Sequence, residues 1–230
     1  MFEKHYPAIS KSLLFSSLDN ITLPTMIKCL DPKLKSYNKN DYIFTAGDYF
    51  TGIGIILEGT AAVLNEKATG DRVVINVLKQ GDVFGEMIAF SELTNWPNTI
   101  QAFEKCKVLL IPKDRINGEC SKVCPWHKSL IENFLKLLSQ KALMLNKKVN
   151  YLTIKGIRGK LGTYLYEQFK ITGSSSIILN FNRNELADFL NVSRPSMSRE
   201  LSQLRKEKII DFHLKSFKIL DIKALKSLAE

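Results

Sequence analysis

Arginine and serine side chains cluster on one face of a segment near the end of this 230-residue chain, at Arg194, Ser196, Ser198 and Arg199. The apolar residues of the segment recur at helical spacing on the opposite face: Met197, Leu201 and Leu204. An arginine can donate two hydrogen bonds to O6 and N7 of guanine, and one such contact discriminates between bases by about 1–3 kcal/mol. The outward face therefore has the chemistry of a base reader. An ordinary amphipathic helix with solvated arginines is the alternative.

Two short helices must hold these side chains. Asn182 and Glu185 have the spacing of a capping box at the start of the first helix. Residues 191–192 form the turn, Ser193 caps the second helix, and Pro195 falls in its first turn, where a missing N–H is tolerated. This order predicts a helix-turn-helix whose second helix lies in the major groove of DNA.

A hairpin is predicted directly after the second helix, because residues 211–220 alternate between polar and apolar types. We interpret it as a wing that brings Lys215 and Ser216 to the DNA phosphates; polar turn residues without a ligand are the alternative. The predicted DNA-binding residues are Arg183, Arg194, Ser196, Ser198, Arg199, Lys215 and Ser216.

The formal net charge of +10 is concentrated toward the C-terminal third of the chain. Residues 151–230 hold 14 Lys and Arg against 8 Asp and Glu, a net charge of +6, whereas residues 1–150 hold 19 against 15, a net charge of +4. Such an excess is typical of a domain that binds DNA. No apolar run has the length of a membrane span, and residues 1–5 lack a signal-peptide pattern. We expect a cytoplasmic protein that does not bind membranes, with its four cysteines reduced.

Residues 37–112 predict a closed, barrel-like all-β domain. Short β-rich runs occur at 42–44, 53–57, 60–64, 72–78 and 108–111. Glycines separate them, at positions 47, 52, 54, 59, 70, 81 and 85, and residues 68–71 have the composition of a hairpin turn. Many short strands with glycine corners favour a barrel or roll.

One long helix follows, with apolar residues at alternating spacings of four and three: Ile131, Leu135, Leu138, Ala142, Leu145, Val149 and Leu152. This heptad seam predicts a two-chain coiled coil. A second apolar strip remains to face the barrel, at Phe134, Leu137 and Met144. Packing of the first strip on the chain's own barrel is the alternative. The heptad stops near residues 153–156, which we interpret as a hinge before another helix at 157–170.

The complete order of a glycine-punctuated β-domain, a long helix, a hinge and a winged helix-turn-helix resembles the Crp/Fnr superfamily of bacterial transcription regulators. The resemblance is most specific over residues 183–201, and several glycine-containing motifs match the cyclic-nucleotide-binding fold, at 47–48, 59, 81–86 and 98–102. It implies an α+β protein with an N-terminal β-roll, a long dimerisation helix and a C-terminal winged helix-turn-helix. The implied parts are a sensor at 1–125, the dimerisation helix at 126–152 and a DNA-binding domain at 153–230.

The resemblance also implies what the protein does. Such a chain is not an enzyme; it binds an inverted repeat in double-stranded DNA as a homodimer and contacts RNA polymerase if it is an activator. Arg194 and Arg199 occupy base-contacting positions of the family. Pro195 stands where members often have a Glu that accepts from a base edge, so we expect a different operator at that base pair. The rival hypothesis is a ligand-binding β-domain whose C-terminal module binds proteins.

Residues 85–86 stand where the members that bind cyclic AMP hold its ribose and phosphate. Those members neutralise the phosphate with an Arg, but residues 80–104 contain no Lys or Arg here, and the expected position is close to residues 96–97. This disfavours cyclic AMP and favours a small aromatic or weakly acidic effector; a filled pocket without a ligand is the alternative. The predicted effector-binding residues are Gly85, Glu86, Met87, Trp96, Asn98, Thr99, Leu143 and Met144.

Cys120, Cys124 and His127 have a spacing compatible with a metal, iron–sulfur or haem sensor. The family's usual N-terminal cysteine cluster is missing, however, and we interpret the three residues as structural. The sequence therefore assigns no cofactor and disfavours a metal or haem. The three histidines, at positions 5, 127 and 213, lie in different segments and form no catalytic arrangement.

Overall fold

The computed structural model describes residues 2–16, 18–19, 21–66, 72–117 and 125–229. Packing divides the chain into two units, Met1–Gln140 and Lys141–Glu230, and the division falls within the long helix Pro125–Thr153. The predicted division into three parts, at 125 and 152, concerns what each part does and stays a prediction.

Two four-stranded antiparallel sheets form most of the first unit. One has the strand order β1 (Lys33–Tyr37), β8 (Cys106–Pro112), β3 (Gly52–Glu58) and β6 (Val83–Phe84). The other has the order β2 (Tyr42–Phe44), β7 (Thr99–Ala102), β4 (Ala61–Glu66) and β5 (Arg72–Leu78). The unit also contains helices α1 (Tyr6–Ile9), α2 (Thr22–Leu30), α3 (Glu86–Ala89) and α4 (Lys113–Asn117), and the 3₁₀ turns Glu3–His5 and Leu13–Phe15.

The predicted β-roll fold of the N-terminal part is confirmed, and each of the five β-rich runs corresponds to a strand. Strands β1, β6 and β7 were not predicted from the sequence. Strand β1 reads Lys-Leu-Lys-Ser-Tyr and lies at a sheet edge, where polar side chains reach solvent and hide the usual apolar signal. The predicted turn at 68–71 lies outside the described residues.

Strand β5 lies at the edge of the second sheet and, unlike β1, is mostly apolar. Among the described residues it pairs with β4 alone, yet four of its side chains are apolar and more than a third exposed: Val73, Val74, Ile75 and Val77. Consecutive residues of a strand face opposite sides of a sheet. Apolar side chains are therefore accessible on both faces of β5 in the single chain.

The long helix α5 (Pro125–Thr153) contributes its first half to the core of the first unit. Trp126, Leu130, Phe134 and Leu137 are buried there together with the barrel side chains. Asn133 is buried as well, and its Nδ2 donates to the carbonyl oxygens of residues 14 and 16, at 3.2 and 2.8 Å. Packing and hydrogen bonds thus fix the start of α5 to the barrel.

The second unit is a three-stranded antiparallel sheet with four helices. The helices after α5 are α6 (Gly156–Thr172), α7 (Arg183–Leu190), α8 (Arg194–Lys206) and α9 (Ile222–Ser227). The strand order is β10 (Ile210–His213), β11 (Ser216–Ile219) and β9 (Ser176–Ile178). The predicted helix-turn-helix and the hairpin after it are confirmed. Within the described ranges, no helix is both long enough and apolar enough to cross a bilayer.

Candidate functional site

Helix α7 begins with the predicted capping box. The Asn182 side chain accepts from the backbone N–H groups of Asn184 and Glu185, at 2.9 and 3.0 Å, and the Asn182 N–H donates to Glu185 Oε2 at 2.8 Å. The helix ends at Asn191, which has a φ of 51°, and the N–H of the next residue returns to Ala187 O. Because Ala187 is small and buried, α8 can cross α7 closely.

Helix α8 presents the predicted reading face. Ser193 caps it by accepting from the Ser196 N–H at 3.2 Å, and Pro195 occupies the first turn. The inward residues are all buried: Met197, Leu201 and Leu204. Arg194, Ser198 and Arg199 are exposed. Ser196 is half-buried; its hydroxyl accepts from the Ser193 hydroxyl at 2.8 Å and from Arg199 Nη2 at 3.2 Å.

Neither Arg194 nor Arg199 forms an ion pair with a carboxylate of the described residues. The Ser196 hydroxyl instead holds the Arg199 guanidinium beside the first turn. Both guanidinium groups therefore retain donors that can reach an external acceptor. A capped helix with charged donors near its N-terminus is suited to base edges and phosphates.

Arg183 differs from the other predicted contacts because its guanidinium packs against the wing. It lies 4.7 Å from the ring centroids of both Phe212 and Phe217. Its Nη1 is buried without a hydrogen-bond partner among the described residues, and burial lowers its pKa. The structure thus shows Arg183 joining α7 to the hairpin, and the DNA contact predicted for it stays a prediction.

The wing places Lys215 and Ser216 at the exposed tip and first β11 position. Lys215 Nζ donates to the Asn180 carbonyl at 3.0 Å, which ties the tip to the loop before α7. A cavity of about 270 Å³ opens beside this hairpin, lined by Arg205, Asp211, Phe212, His213, Ser216 and Lys218. Arg205 Nε forms an ion pair with Asp211 Oδ1 at 2.7 Å in this lining.

In the first unit, the residues predicted to bind an effector are distributed between interior and surface. Glu86, Trp96 and Thr99 are buried, whereas Met87 is 70% exposed and Asn98 is half-buried. Thr99 Oγ1 accepts from the Ala46 N–H at 3.1 Å. Gly85 caps the short helix α3 and lies against Trp96, since a Cβ built at Gly85 would meet the indole at 2.7 Å. Gly85 and Trp96 are thus brought together, and Met87 points away from them.

Three phenylalanine rings surround Trp96 in the core of the first unit. The indole stacks on Phe44 with ring centroids 4.3 Å apart, and Phe50 meets it edge-on at 5.1 Å. Phe84 lies 6.0 Å away, over Gly54, where a Cβ would overlap its ring. The Trp96 Nε1 is buried and has no hydrogen-bond partner in the described part of the chain. The family resemblance leads us to expect a phosphate-binding Arg close to residues 96–97. The buried indole of Trp96 lies there instead.

Comparison with protein families identifies both halves of the chain. Residues 34–122 match the cyclic nucleotide-binding domain, and residues 159–228 match the Crp-like helix-turn-helix domain. The chain belongs to the Crp/Fnr family of transcription regulators. Members of this family are regulators and not enzymes, and the family resemblance seen in the sequence is confirmed.

Individual Crp/Fnr relatives share the architecture at low identity. The Anaerobic regulatory protein of Bacillus subtilis is 24% identical over 200 residues, covering 85% of this chain and 82% of the relative. The cAMP-activated global transcriptional regulator CRP of Salmonella typhimurium is 23% identical over 190 residues, covering 80% and 87%. The solved structure of CprK complexed with OCPA has a TM-score of 0.66 at 14% identity, covering 90% of this chain and 93% of CprK.

The predicted dimer seam of this Crp/Fnr chain lies mostly on the surface of α5. Leu135, Leu145, Val149 and Leu152 are between 48% and 63% exposed, and Ala142 is exposed as well. Ile131 and Leu138 are half-buried, and Leu138 packs against the first unit's core. In the second predicted strip, Phe134 and Leu137 are buried, but Met144 is 57% exposed. Leu143, the other predicted effector contact from the helix, is 65% exposed.

The cysteine and histidine positions give no metal cluster among the described residues. Cys120 and Cys124 lie outside them. His127 is half-buried and stacks on Trp126 at 5.2 Å, with its Nε2 3.4 Å from Ile116 O. His127 therefore has a packing role in the structure.

Tyr151 and Lys160 have structural roles in the second unit that the sequence did not indicate. Tyr151, near the end of α5, is buried between Phe189 and Tyr164, and its hydroxyl donates to Glu167 at 2.8 Å. Lys160 is buried and donates to the Leu190 carbonyl at the end of α7, at 3.0 Å. Tyr151 lies next to the heptad residue Leu152, and this position was the available indication in the sequence that it packs in a helix. A lysine within a helix gives no indication that it is buried.

Proposed function

We propose that the protein is a homodimer that binds an inverted-repeat operator through α8 and is controlled by a small effector other than a cyclic nucleotide. The observation that carries the proposal is the outward face of α8. Arg194 and Arg199 are exposed there without carboxylate partners among the described residues, on a helix fixed by Ser193 and by a buried inner face. As a DNA-binding regulator, it acts in the cytoplasm.

The exposed seam of α5 supports the homodimer. Exposure of large apolar side chains to water is unfavourable. A second helix packed against the heptad stripe would bury them. A two-fold axis along α5 would present two reading helices to successive major grooves, about 34–36 Å apart. The predicted operator is therefore an inverted repeat. RNA polymerase is a further partner if the protein is an activator.

The aromatic interior of the barrel supports an effector without a phosphate. A phosphate brought to Gly85 would meet Trp96 and the buried Glu86, and no Lys or Arg lies between residues 80 and 104. Burial of an unpaired anion is strongly unfavourable. A small aromatic or weakly acidic compound suits these surroundings better. The relative from Salmonella typhimurium named as cAMP-activated differs in this respect from what we propose here.

Replacement of Arg199 by Ala tests the reading helix. The duplex preferred by the wild-type protein is first selected from a random-sequence pool, and the dissociation constant is then measured for it and for a scrambled duplex of equal composition. We expect the preference for the selected duplex to fall about 5- to 150-fold, the equivalent of one lost arginine–guanine contact.

The control is Lys223→Ala, which removes the same charge from an exposed position on α9. This variant should keep the wild-type preference. An Arg199→Ala protein that folds and still discriminates as the wild type does would exclude α8 as the reading helix. Affinity for all duplexes should also fall steeply with added salt if phosphates are contacted.

A further inference from the structure

Arg158, in the first turn of α6, contacts two carboxylates: Glu200 of α8 and Glu207, the C-cap residue of the same helix. Its Nη1 lies 3.1 Å from Glu200 Oε1 and 3.2 Å from Glu207 Oε1, and its Nη2 contacts Glu207 Oε2. Gln203 Nε2 donates to the same Glu207 carboxylate at 2.9 Å. Arg158, Glu200, Gln203 and the C-cap residue Glu207 therefore form a single network along α8.

The two carboxylates are spaced so that Arg158 holds α8 at two points. Glu200 and Glu207 are seven residues apart, about two helical turns, which puts them on the same face. Glu200 follows Arg199 directly, and Glu207 caps the end of the helix. The planar guanidinium can serve both because its donors form a rigid fork, which a lysine lacks.

The network is stronger than an isolated surface ion pair. The side chains of Arg158, Glu200 and Glu207 are only 36%, 26% and 33% exposed. The hydrogen bond from Arg158 lowers the pKa of Glu207, so this carboxylate stays charged at neutral pH. Networks of several charges with good geometry are the exception to the small contribution of exposed ion pairs.

We infer that Arg158 is a positioning residue for operator recognition: it fixes the orientation of α8 so that Arg194 and Arg199 meet the base edges in register. Arg158 itself does not need to contact DNA. The inference rests on the proposed function, because it assigns a geometric requirement to the same reading helix. Arg158 lies five residues after the end of α5, so the network holds α8 to the segment that follows the long helix.

The test measures how strongly each of three variants prefers the selected duplex over the scrambled duplex. In Arg158→Ala we expect the preference for the selected duplex to fall about 5-fold or more, while the salt dependence stays that of the wild type, because the phosphate contacts remain. Arg158→Lys should retain part of the preference. Lys170→Ala, at the other end of α6, removes an equal charge and should change nothing.

A second combination separates positioning from charge neutralisation. The triple variant Arg158→Ala, Glu200→Gln, Glu207→Gln has no uncompensated carboxylate at these positions. It still lacks the guanidinium that holds α8. We expect the preference to stay low. Recovery of the wild-type preference would overturn the inference, because Arg158 would then only neutralise α8.

Folding of each variant is checked by its thermal midpoint. If Arg158→Ala fails to fold, the Arg158→Lys protein carries the comparison: partial preference supports the inference, and full wild-type preference contradicts it. A wild-type protein that selects no sequence from the pool contradicts the proposed function itself, which distinguishes the two failures.

Discussion

Gly85 and Gly47 have the same backbone conformation but different surroundings in the first unit. Both have a positive φ, of 83° and 92°, which residues with a side chain adopt at a cost of about 1–2 kcal/mol. Only Gly85 is also in close contact, with Trp96 on one side and Phe50 on the other; a Cβ at Gly47 would meet no atom within 4 Å. The two glycines thus share the backbone requirement and differ in the packing requirement.

We therefore predict that Gly85→Ala is more destabilising than Gly47→Ala, by about 1–3 kcal/mol of unfolding free energy, the usual cost of overpacking a core. Both tryptophans of the chain, Trp96 and Trp126, lie in the first unit, so their fluorescence during urea unfolding reports on this unit alone. Equal destabilisation in the two variants would mean that the indole can move away from Gly85 at little cost.

At the scale of elements, the sequence predicted what local pattern determines. The capping box of α7, the Ser193 cap, the heptad of α5 and the five β-rich runs all follow from spacing within a short window, and their elements are present. Strand β1 was not predicted, because at an edge its polar residues satisfy solvent and only pairing with β8 makes it a strand.

The candidate site, like the fold, could be predicted from the sequence only in part. The outward arginines of α8 follow from helical periodicity, but the partners of Arg183 and Arg158 do not. Phe212 and Phe217 lie about 30 residues from Arg183 in the sequence, and Glu200 and Glu207 lie more than 40 from Arg158. Such contacts are set by the packing of helices on the sheet, which no local window contains.

Tyr151 gives the α5–α6 junction a pH dependence. Burial and the hydrogen bond to Glu167 raise the pKa of its hydroxyl, and burial raises the pKa of Tyr164 to about 12. Below about pH 10, the ordinary tyrosine pKa, both hydroxyls are protonated in the folded and unfolded chains, so their full contribution is present. At higher pH the unfolded chain ionises first, and stability is lost as the pH rises toward the folded pKa values.

We predict that the melting temperature of the second unit falls as the pH is raised from about 8 to about 11, and that Tyr151→Phe makes this fall smaller. Calorimetry on the full chain measures both. Tyr49→Phe, in the first unit, is the control and should leave the transition of the second unit as in the wild type. A variant at Tyr151 with an unchanged alkaline slope would mean that this hydroxyl is not protected by folding.

At the scale of the whole molecule, the single chain leaves apolar surface that a second copy can cover. The seam side chains of α5 and both faces of β5 are exposed, although the start of α5 is well buried in its own unit. The excess positive charge lies in the second unit, where α8 and the wing are. If the proposed dimer forms through α5 and DNA is bound through α8, the two functions use different parts of the chain, and we expect that each can be removed without the other.

Leu145 and Leu143 provide the variant and its matched control. They lie two residues apart on α5 and are 63% and 65% exposed, but only Leu145 belongs to the predicted heptad. We predict that Leu145→Lys converts the dimer to monomers, because a charge cannot be buried without a partner at the centre of the seam, whereas Leu143→Lys leaves the dimer intact. Sedimentation velocity over a range of concentrations measures both.

The monomeric variant should bind an inverted repeat no better than a single half-site, since it has lost the second reading helix. A wild-type protein that is monomeric at every concentration would show instead that the heptad stripe serves another purpose.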